Sequence, residues 1–316
     1  DVAPSRGLGD VYKRQGIMNV PGGKEEGDEI AVYYAYGDIV DGASGALSQS
    51  ESVIDGTKVS KDLENLADDD DVKAVVVRIN SGGGSAYASE QIWRAIQLVK
   101  AKKPVVVSMG GMAASGGYYM SCSANWIVAE PTTLTGSIGI FGMFPDMSGL
   151  VTQKLGVKFD EVKTNKNSAF GTMARPFSEE EMAYLSSYIS RGYSLFRQRV
   201  ADGRHMSVDA VEKVAQGHVW VGQDALKIKL VDQLGGLDDA VAKAAKLAKL
   251  DEYYTASYPG KADWLDQFTS AMSSGSYIDN QMRVAMGEYY STFMLLKDIN
   301  KQSAIQARIP YMVNIK

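Results

Sequence analysis

The segment GGMAASGGYYMSCSANW, residues 110–126, places one serine, Ser115, among alanines and glycines. Small neighbours of this kind have two explanations. They let a helix pack closely against a sheet, or they leave the backbone around a nucleophilic serine open to a substrate. A serine hydroxyl is a weak nucleophile at neutral pH and needs a base to take its proton. If Ser115 does chemistry, the protein must therefore supply that base as well.

Histidine is the usual base for such a serine, and the chain has only two histidines, His205 and His218. Neither has a carboxylate in an arrangement typical of a catalytic triad, although sequence order does not fix triad geometry. Ordinary loop or core positions are the simpler interpretation of both. Lysine is the other candidate base, and it works when desolvation lowers the pKa of its ammonium group.

The elements that must position Ser115 alternate between strands and helices. Strands are predicted at residues 30–40, 72–79, 104–110 and 125–131, and helices at residues 57–67, 85–103, 178–204, 207–217 and 237–250. Nearly continuous apolar strands suit a sheet buried on both faces, and their alternation with helices predicts an α/β fold of right-handed βαβ units. Ser178 and Glu181 predict a capping box at the start of the long helix.

Glycines gather near the ends of three predicted strands, at residues 82–84, 110–111 and 136–142. Ligand sites in open α/β sheets lie at the carboxyl ends of strands. We therefore expect the three glycine clusters to converge on one site, with Ser115 nearby.

Composition excludes several function classes. The chain of 316 residues has a net charge of −5, which provides no basic surface to recruit nucleic acid. The one cysteine, Cys122, excludes an internal disulfide and a multi-cysteine metal site, and its apolar surroundings predict a buried structural thiol. No apolar run reaches the ~18–20 residues that span a bilayer, so we expect this chain to be soluble by itself.

The ends of the sequence carry little pattern. Residues 1–27 are polar, aperiodic and without an initiating methionine, which predicts a disordered or non-native leader. Residues 251–316 have no clear periodicity, and their aromatic and methionine side chains favour packing or assembly over chemistry. We expect residues 28–250 to form the catalytic domain, and the chain to be part of a longer protein.

Four separated motifs together resemble the signal peptide peptidase A family. They are NSGGGS at residues 80–85, SMGGMAASGGYYMS at 108–121, LTGSIGIFG at 134–142 and QGHVWVGQDALKIKLVDQLGG at 216–236. The resemblance runs from about residue 30 to about residue 250, and is closest to the C-terminal half of the long, two-domain bacterial form. It implies a Ser–Lys serine peptidase without cofactor or metal, on a crotonase-like and Clp-protease-like α/β fold with a helical C-terminal portion.

The resemblance also assigns roles to residues of this chain. Ser115 is then the nucleophile, and the backbone N–H groups of Gly83 and Gly116 form the oxyanion hole for the tetrahedral intermediate. Ser137 matches a serine whose hydroxyl positions the catalytic lysine. One departure is Gly82, where the family usually has proline, and a glycine loosens this loop.

The lysine itself has two candidate origins. In the short, single-domain relatives it follows the serine within the same domain, and Lys166 occupies that register, with Lys163 nearby. In the long form the N-terminal half supplies the lysine. Lys166 would then be a solvated loop lysine, and the base would lie in a missing N-terminal half.

The family further implies a substrate, an assembly and a location. Substrates are cleaved signal peptides or other flexible peptides, cut after small or apolar side chains. Subunits form homo-oligomeric rings, and an anchor absent from this sequence attaches them to the bacterial inner membrane, facing the periplasm. Two other functions stay open. A crotonase-like acyl-CoA enzyme would need a carboxylate beside a glycine loop and would leave Ser115 unused, and a non-catalytic half or scaffold would lack its lysine.

Overall fold

The structure, a computed structural model, describes residues 27–42, 53–172, 174–260 and 305–308. The strands are β1 (Asp28–Tyr36), β2 (Asp38–Val40), β3 (Val53–Asp55), β4 (Val72–Ser81), β5 (Gly83–Ser85), β6 (Val105–Ala114), β7 (Trp126–Ala129), β8 (Leu134–Gly136), β9 (Phe141–Gly142), β10 (Val219–Val221), β11 (Gln233–Leu234), β12 (Tyr253–Tyr258) and β13 (Ile305–Arg308). The α-helices are α1 (Gly56–Asp68), α2 (Ala86–Lys100), α3 (Gly116–Ser121), α4 (Glu179–Arg204), α5 (Val208–Glu212), α6 (Gly222–Lys227) and α7 (Leu237–Ala248). A π-helical turn covers Gly149–Lys154.

The larger sheet has eight strands and is almost entirely parallel. Its main order is β10–β8–β6–β4–β1–β12, and β7 joins β6 to β11. The only antiparallel pair in this sheet, within the described residues, is β8 with β10. Strand β6 pairs with two strands in succession: residues 106–109 pair with β7, and residues 112–114 pair with β8. This arrangement confirms the predicted α/β fold.

Both faces of the larger sheet are covered, as its apolar strands predict. In β4, Val75 and Val77 belong to the core that helices α1 to α4 cover, while Val76 faces the core beneath α7. Helix α7 meets the sheet through small residues such as Ala240 and Ala244, which let it approach closely. The continuous apolar run of β4 is therefore explained by burial on two sides.

Local signals in the helical half are confirmed in part. The Ser178 hydroxyl accepts from the Glu181 amide at 3.2 Å, and the Glu181 carboxylate accepts from the Ser178 amide at 2.7 Å, so the capping box exists. The helix predicted over residues 207–217 is wrong in its C-terminal part. There Gln216 and Gly217 have positive φ angles of 57° and 76°, which end helical geometry, and α5 stops at Glu212.

Two strand predictions also change. Strand β6 does not end at the glycine pair but runs through it to Ala114, because residues 112–114 pair with β8. The strand predicted over residues 30–40 is divided at Gly37, whose φ of 100° turns the chain from β1 to β2.

The smaller sheet has the order β3–β2–β5–β13–β9. It holds one glycine cluster in β5 and a strand from near the end of the chain in β13. Most of the predicted leader, residues 1–26, lies outside the described residues, and the predicted C-terminal extension is described only at 251–260 and 305–308. Among the described residues, no helix has the length and apolarity that crossing a membrane requires.

Candidate active site

Ser115 stands at the sharp turn between the end of β6 and the start of α3. Its backbone has φ 53° and ψ −114°, a combination that costs an L-residue about 1–3 kcal/mol. Two hydrogen bonds hold the turn: the Ser115 amide donates to the Gly136 carbonyl at 2.8 Å, and the Tyr119 amide donates to the Ser115 carbonyl at 2.7 Å. A strained strand-to-helix turn is how many hydrolases present a nucleophilic serine.

The Ser115 hydroxyl is buried without a partner. The residue is 0% exposed, and its Oγ has no hydrogen-bond partner among the described residues. A buried hydroxyl without a partner costs about 1–3 kcal/mol, so folding alone gives no reason to keep it. The neighbouring buried Ser121, by contrast, donates its hydroxyl hydrogen to the Gly117 carbonyl at 2.5 Å.

The glycines that follow Ser115 allow helix α3 to pack closely. A Cβ at Gly116 would lie 2.6 Å from the Ser89 Oγ, and a Cβ at Gly117 would lie 3.0 Å from the Ser81 carbonyl oxygen. The first of these contacts is closer than Cβ atoms tolerate. These contacts fit the packing explanation raised by the sequence, because helix α3 packs tightly against its neighbours.

Gly83 and Gly116, the predicted oxyanion-hole residues, lie against each other. A Cβ at Gly83 would come within 2.8 Å of the Gly116 amide nitrogen, and the Gly83 φ of 103° suits glycine. The Gly83 amide itself donates to the Ser81 hydroxyl at 3.1 Å. This hydrogen bond must open or be shared before the Gly83 N–H can hold an oxyanion.

Ser137 follows the strand that pairs with the nucleophile strand. Ala114 and Gly136 are register partners, so Ser115 and Ser137 each come one residue after a paired position. Ser137 is 2% exposed, has a φ of 49°, and donates its amide hydrogen to the His218 carbonyl at 2.8 Å. Ser137 therefore directly follows Gly136, whose register partner Ala114 directly precedes Ser115.

Lys166 lies on the surface in this structure. Its side chain is 81% exposed and forms an ion pair with Glu180, and hydrogen bonding to Glu180 raises the pKa of Lys166. Lys163, in the same loop, pairs with Glu161 at 2.7 Å. Neither lysine is a hydrogen-bond partner of the buried Ser115 hydroxyl, and a lysine with a raised pKa is the reverse of a general base.

The other titratable candidates have ordinary surroundings. His205 ends α4 in a left-handed conformation, and His218 packs against the Trp220 ring with centroids 4.1 Å apart. Cys122 is fully buried, and desolvation raises the pKa of its thiol to about 12, which confirms the predicted structural thiol.

Two neighbours of the site have no local signal in the sequence. The Asp41 carboxylate accepts a hydrogen bond from the hydroxyl of Ser85, the residue that caps α2 immediately after the glycine loop. Strand β13 pairs with β5 beside Gly83 and contacts α3. Both contacts join residues far apart in the chain, and only the folded arrangement reveals them.

Comparison with protein families gives two matches. The model of Peptidase family S49 matches residues 97–251, and the model of Clp protease matches residues 32–128. The first range contains Ser115 and Ser137, and the second contains Gly83 and Gly116.

Comparison with individual proteins gives relatives of the same kind. The chain is 42% identical over 250 residues to "Protease 4" of Salmonella typhi, a match covering 79% of this chain and 39% of that protein. It is 38% identical over 246 residues to "Serine protease SPPA, chloroplastic" of Arabidopsis thaliana, covering 76% of this chain and 36% of that protein. A putative protease of Methanocaldococcus jannaschii is 39% identical, with 60% of each chain covered. The chain thus spans less than two-fifths of the first two relatives.

Among solved structures, a ClpP1 mutant from Listeria monocytogenes aligns with a TM-score of 0.42 at 17% identity, covering 66% of this chain and 94% of that chain.

Proposed function

The chain belongs to peptidase family S49, the signal peptide peptidase A family, and we propose that it carries the nucleophile and oxyanion hole of a serine endopeptidase. The observation that carries the proposal is Ser115. Its hydroxyl is buried, unpartnered and held on a strained turn beside two glycine amides. Strain and an unsatisfied hydroxyl at one position are typical of a residue kept for chemistry.

In the proposed mechanism the Ser115 Oγ attacks the carbonyl carbon of a peptide bond while a neutral lysine amine takes the hydroxyl proton. The N–H groups of Gly116 and Gly83 hold the negative oxygen of the tetrahedral intermediate, and the Gly83 amide leaves Ser81 to do so. The protonated lysine then gives its proton to the leaving amine, and water hydrolyses the acyl-enzyme. Each oxyanion donor of this kind contributes about 10²–10³ in rate.

The lysine comes either from Lys166 or from a chain segment outside this sequence. In the first case Lys166 leaves Glu180 and approaches Ser115, where Ser137 orients the amine. A second candidate function, a non-catalytic half that awaits its partner, is favoured by one observation. Lys166 is exposed and ion-paired, while no described residue forms a hydrogen bond with the Ser115 hydroxyl.

We propose cleaved signal peptides and other flexible peptides as substrates, because the enclosed serine admits an unfolded chain more readily than a folded domain. We also propose that subunits associate into a homo-oligomer, and that the whole protein works at the bacterial inner membrane, facing the periplasm. The proposals on assembly and location rest on family membership, not on a contact within the described residues.

Labelling with a fluorophosphonate probe tests the proposal. The purified chain is compared with Ser115→Ala, Lys166→Ala and Lys163→Ala, the last being a matched control for an ion-paired lysine of the same loop. Loss of labelling in Ser115→Ala and Lys166→Ala, but not in Lys163→Ala, supports a dyad within this chain. Loss in Ser115→Ala alone places the base elsewhere. A folded wild-type chain that does not label refutes a self-sufficient peptidase and supports the second candidate.

A further inference from the structure

Two helices begin at the residues that we assign to the oxyanion hole. Gly83 lies two residues before Ser85, which caps the start of α2, and Gly116 is the first residue of α3. The distance between the Gly83 and Gly116 amides is therefore set by how the N-terminal ends of α2 and α3 pack together. An oxyanion needs both N–H groups within about 3 Å of one oxygen atom, and a displacement of about 1 Å costs about 100-fold in rate.

The backbone of α3 comes close to a side chain of α2 at Gly116. A Cβ at Gly116 would lie 2.6 Å from the Ser89 Oγ. The Ser89 hydroxyl donates to the Ser85 carbonyl at 2.7 Å, so it is directed back along its own helix. This contact limits how closely the two helices approach, but a steric contact does not hold them together.

Glu90, the next residue of α2, provides an attraction between the two helices. Its carboxylate Oε2 accepts a hydrogen bond from the Tyr119 hydroxyl of α3 at 2.6 Å. Tyr119 is 2% exposed, and its own amide donates to the Ser115 carbonyl at 2.7 Å. Hydrogen bonds to a carboxylate are among the stronger ones in proteins. Glu90 therefore holds the residue whose backbone closes the turn at Ser115.

The orientation of the Glu90 carboxylate is fixed by Arg199 of α4. The Arg199 Nη2 donates to the Glu90 Oε1 at 2.6 Å, and the Arg199 Nε donates to the Glu90 Oε2 at 3.3 Å. The guanidinium carbon lies 3.7 Å from the centroid of the Trp93 ring, which supports the guanidinium from one side. A partly exposed ion pair adds little to stability. The arrangement is better explained by orientation, because it directs Oε2 towards Tyr119.

We propose that Glu90 is a positioning residue for the oxyanion hole. By holding Tyr119, it fixes the start of α3 against the start of α2, and hence the Gly116 amide against the Gly83 amide. The chemical role of these two amides rests on the proposed function. The coupling of Glu90 to the two helix starts does not, because it follows from the hydrogen bonds and the packing of the described residues.

Amide hydrogen exchange tests the coupling without requiring catalysis. Tyr119→Phe removes only the hydroxyl, because the ring keeps its packing against Phe196 at a centroid distance of 4.4 Å. Tyr118→Phe, on the same helix, is the matched control, because it loses an equally buried hydrogen bond, to the Leu230 carbonyl. We expect exchange at the Gly83 amide and at the amide of residue 119 to accelerate at least ~10-fold in Tyr119→Phe and less than ~3-fold in the control.

Two results of the exchange experiment would overturn the proposal. The first is unchanged exchange at both amides in a folded Tyr119→Phe variant. The second is equal acceleration in Tyr118→Phe, because the effect would then be a general loss of stability and not a coupling through Glu90.

The kinetics of fluorophosphonate labelling connect the coupling to chemistry. Glu90→Ala should lower the maximal labelling rate of Ser115 at least ~10-fold and leave the half-saturating probe concentration unchanged, because the positions of the amides matter after the probe is bound. Glu90→Gln keeps an acceptor oxygen for the Tyr119 hydroxyl and should label within ~3-fold of the wild-type rate. A raised half-saturating concentration with an unchanged maximal rate would contradict a positioning role. If the wild-type chain does not label, the proposed function fails, and the exchange result still decides the coupling.

Discussion

Removing the Ser115 hydroxyl should stabilise the protein while it abolishes chemistry. The residue combines a φ of 53° and ψ of −114° with a buried hydroxyl that lacks a partner. The backbone conformation costs about 1–3 kcal/mol, and the unsatisfied hydroxyl costs a similar amount. The Ser115 hydroxyl forms no hydrogen bond with the described residues that would offset these costs.

The two contributions can be separated by two substitutions. Ser115→Ala removes the hydroxyl but keeps the Cβ, so we expect stabilisation of about 1 kcal/mol. Ser115→Gly also relieves the backbone strain, although the greater freedom of glycine in the unfolded chain offsets about 0.5–1 kcal/mol. The glycine variant should therefore gain about 2 kcal/mol in total, equivalent to a rise in Tm of about 4–8 °C for a domain of this size.

Urea unfolding of the full chain measures these differences, and Ser121→Ala is the control. Ser121 is equally buried and lies in the helix that follows Ser115, but its hydroxyl is satisfied by the Gly117 carbonyl. Losing that bond should destabilise the protein by about 1 kcal/mol. If Ser115→Ala loses as much stability as Ser121→Ala, the Ser115 hydroxyl supports the fold, and the argument that it is kept for chemistry fails.

Two further predictions concern the glycine loop at residues 82–84 and the Glu181 carboxylate in the first turn of α4. Gly83→Ala should slow labelling of Ser115 at least ~100-fold, because the added Cβ displaces an oxyanion donor. Gly82→Ala should change the labelling rate little, because its Cβ meets only the Met112 Sδ at 3.2 Å, and equal rates for the two variants would contradict the assignment of Gly83. Hydrogen bonds from Arg175 and from the Ser178 backbone lower the pKa of Glu181 from 4.5 to about 2. The stabilisation that the ionised Glu181 carboxylate gives the folded state is therefore complete above pH 4.5 and is lost as the pH falls towards 2. Urea midpoints of wild type and Glu181→Gln should converge over that range, and a constant difference between them would count against this pairing.

The sequence predicts four of the eight strands of the larger sheet, β1, β4, β6 and β7, because their signals are local. The apolar runs of β4 and the first part of β6 identify strands buried on two faces, and Ser178 with Glu181 marks the start of α4. Two of the three glycine clusters reach the Ser115 turn, since the Gly136 carbonyl accepts a hydrogen bond from the Ser115 amide and Gly83 lies against Gly116.

The missed features depend on contacts between distant residues. The local apolar pattern predicts that β6 ends at its glycine pair, whereas pairing with β8 extends the strand to Ala114. Strand β12 is not among the predicted strands, although its tyrosine and threonine residues are typical of a strand. Strand β13 has only four residues, and its place beside Gly83 comes from pairing across more than two hundred positions, which no local pattern encodes.

The position of Lys166 bears on how a base could reach this site. Beside Glu180 and in solvent, Lys166 has a raised pKa and stays protonated. Ser115 is fully buried, so any lysine that reaches its hydroxyl must lose much of its hydration, and desolvation lowers the pKa of an ammonium group. Moving Lys166 from Glu180 to Ser115 would therefore change its pKa in the direction that a general base needs. The same transfer would require the loop around Lys166 to rearrange, because its side chain is 81% exposed here. A lysine delivered by another chain segment would undergo the same loss of water on arrival. In both cases, if a lysine is the base, burial of Ser115 would lower the pKa of that lysine only once it lies beside the hydroxyl.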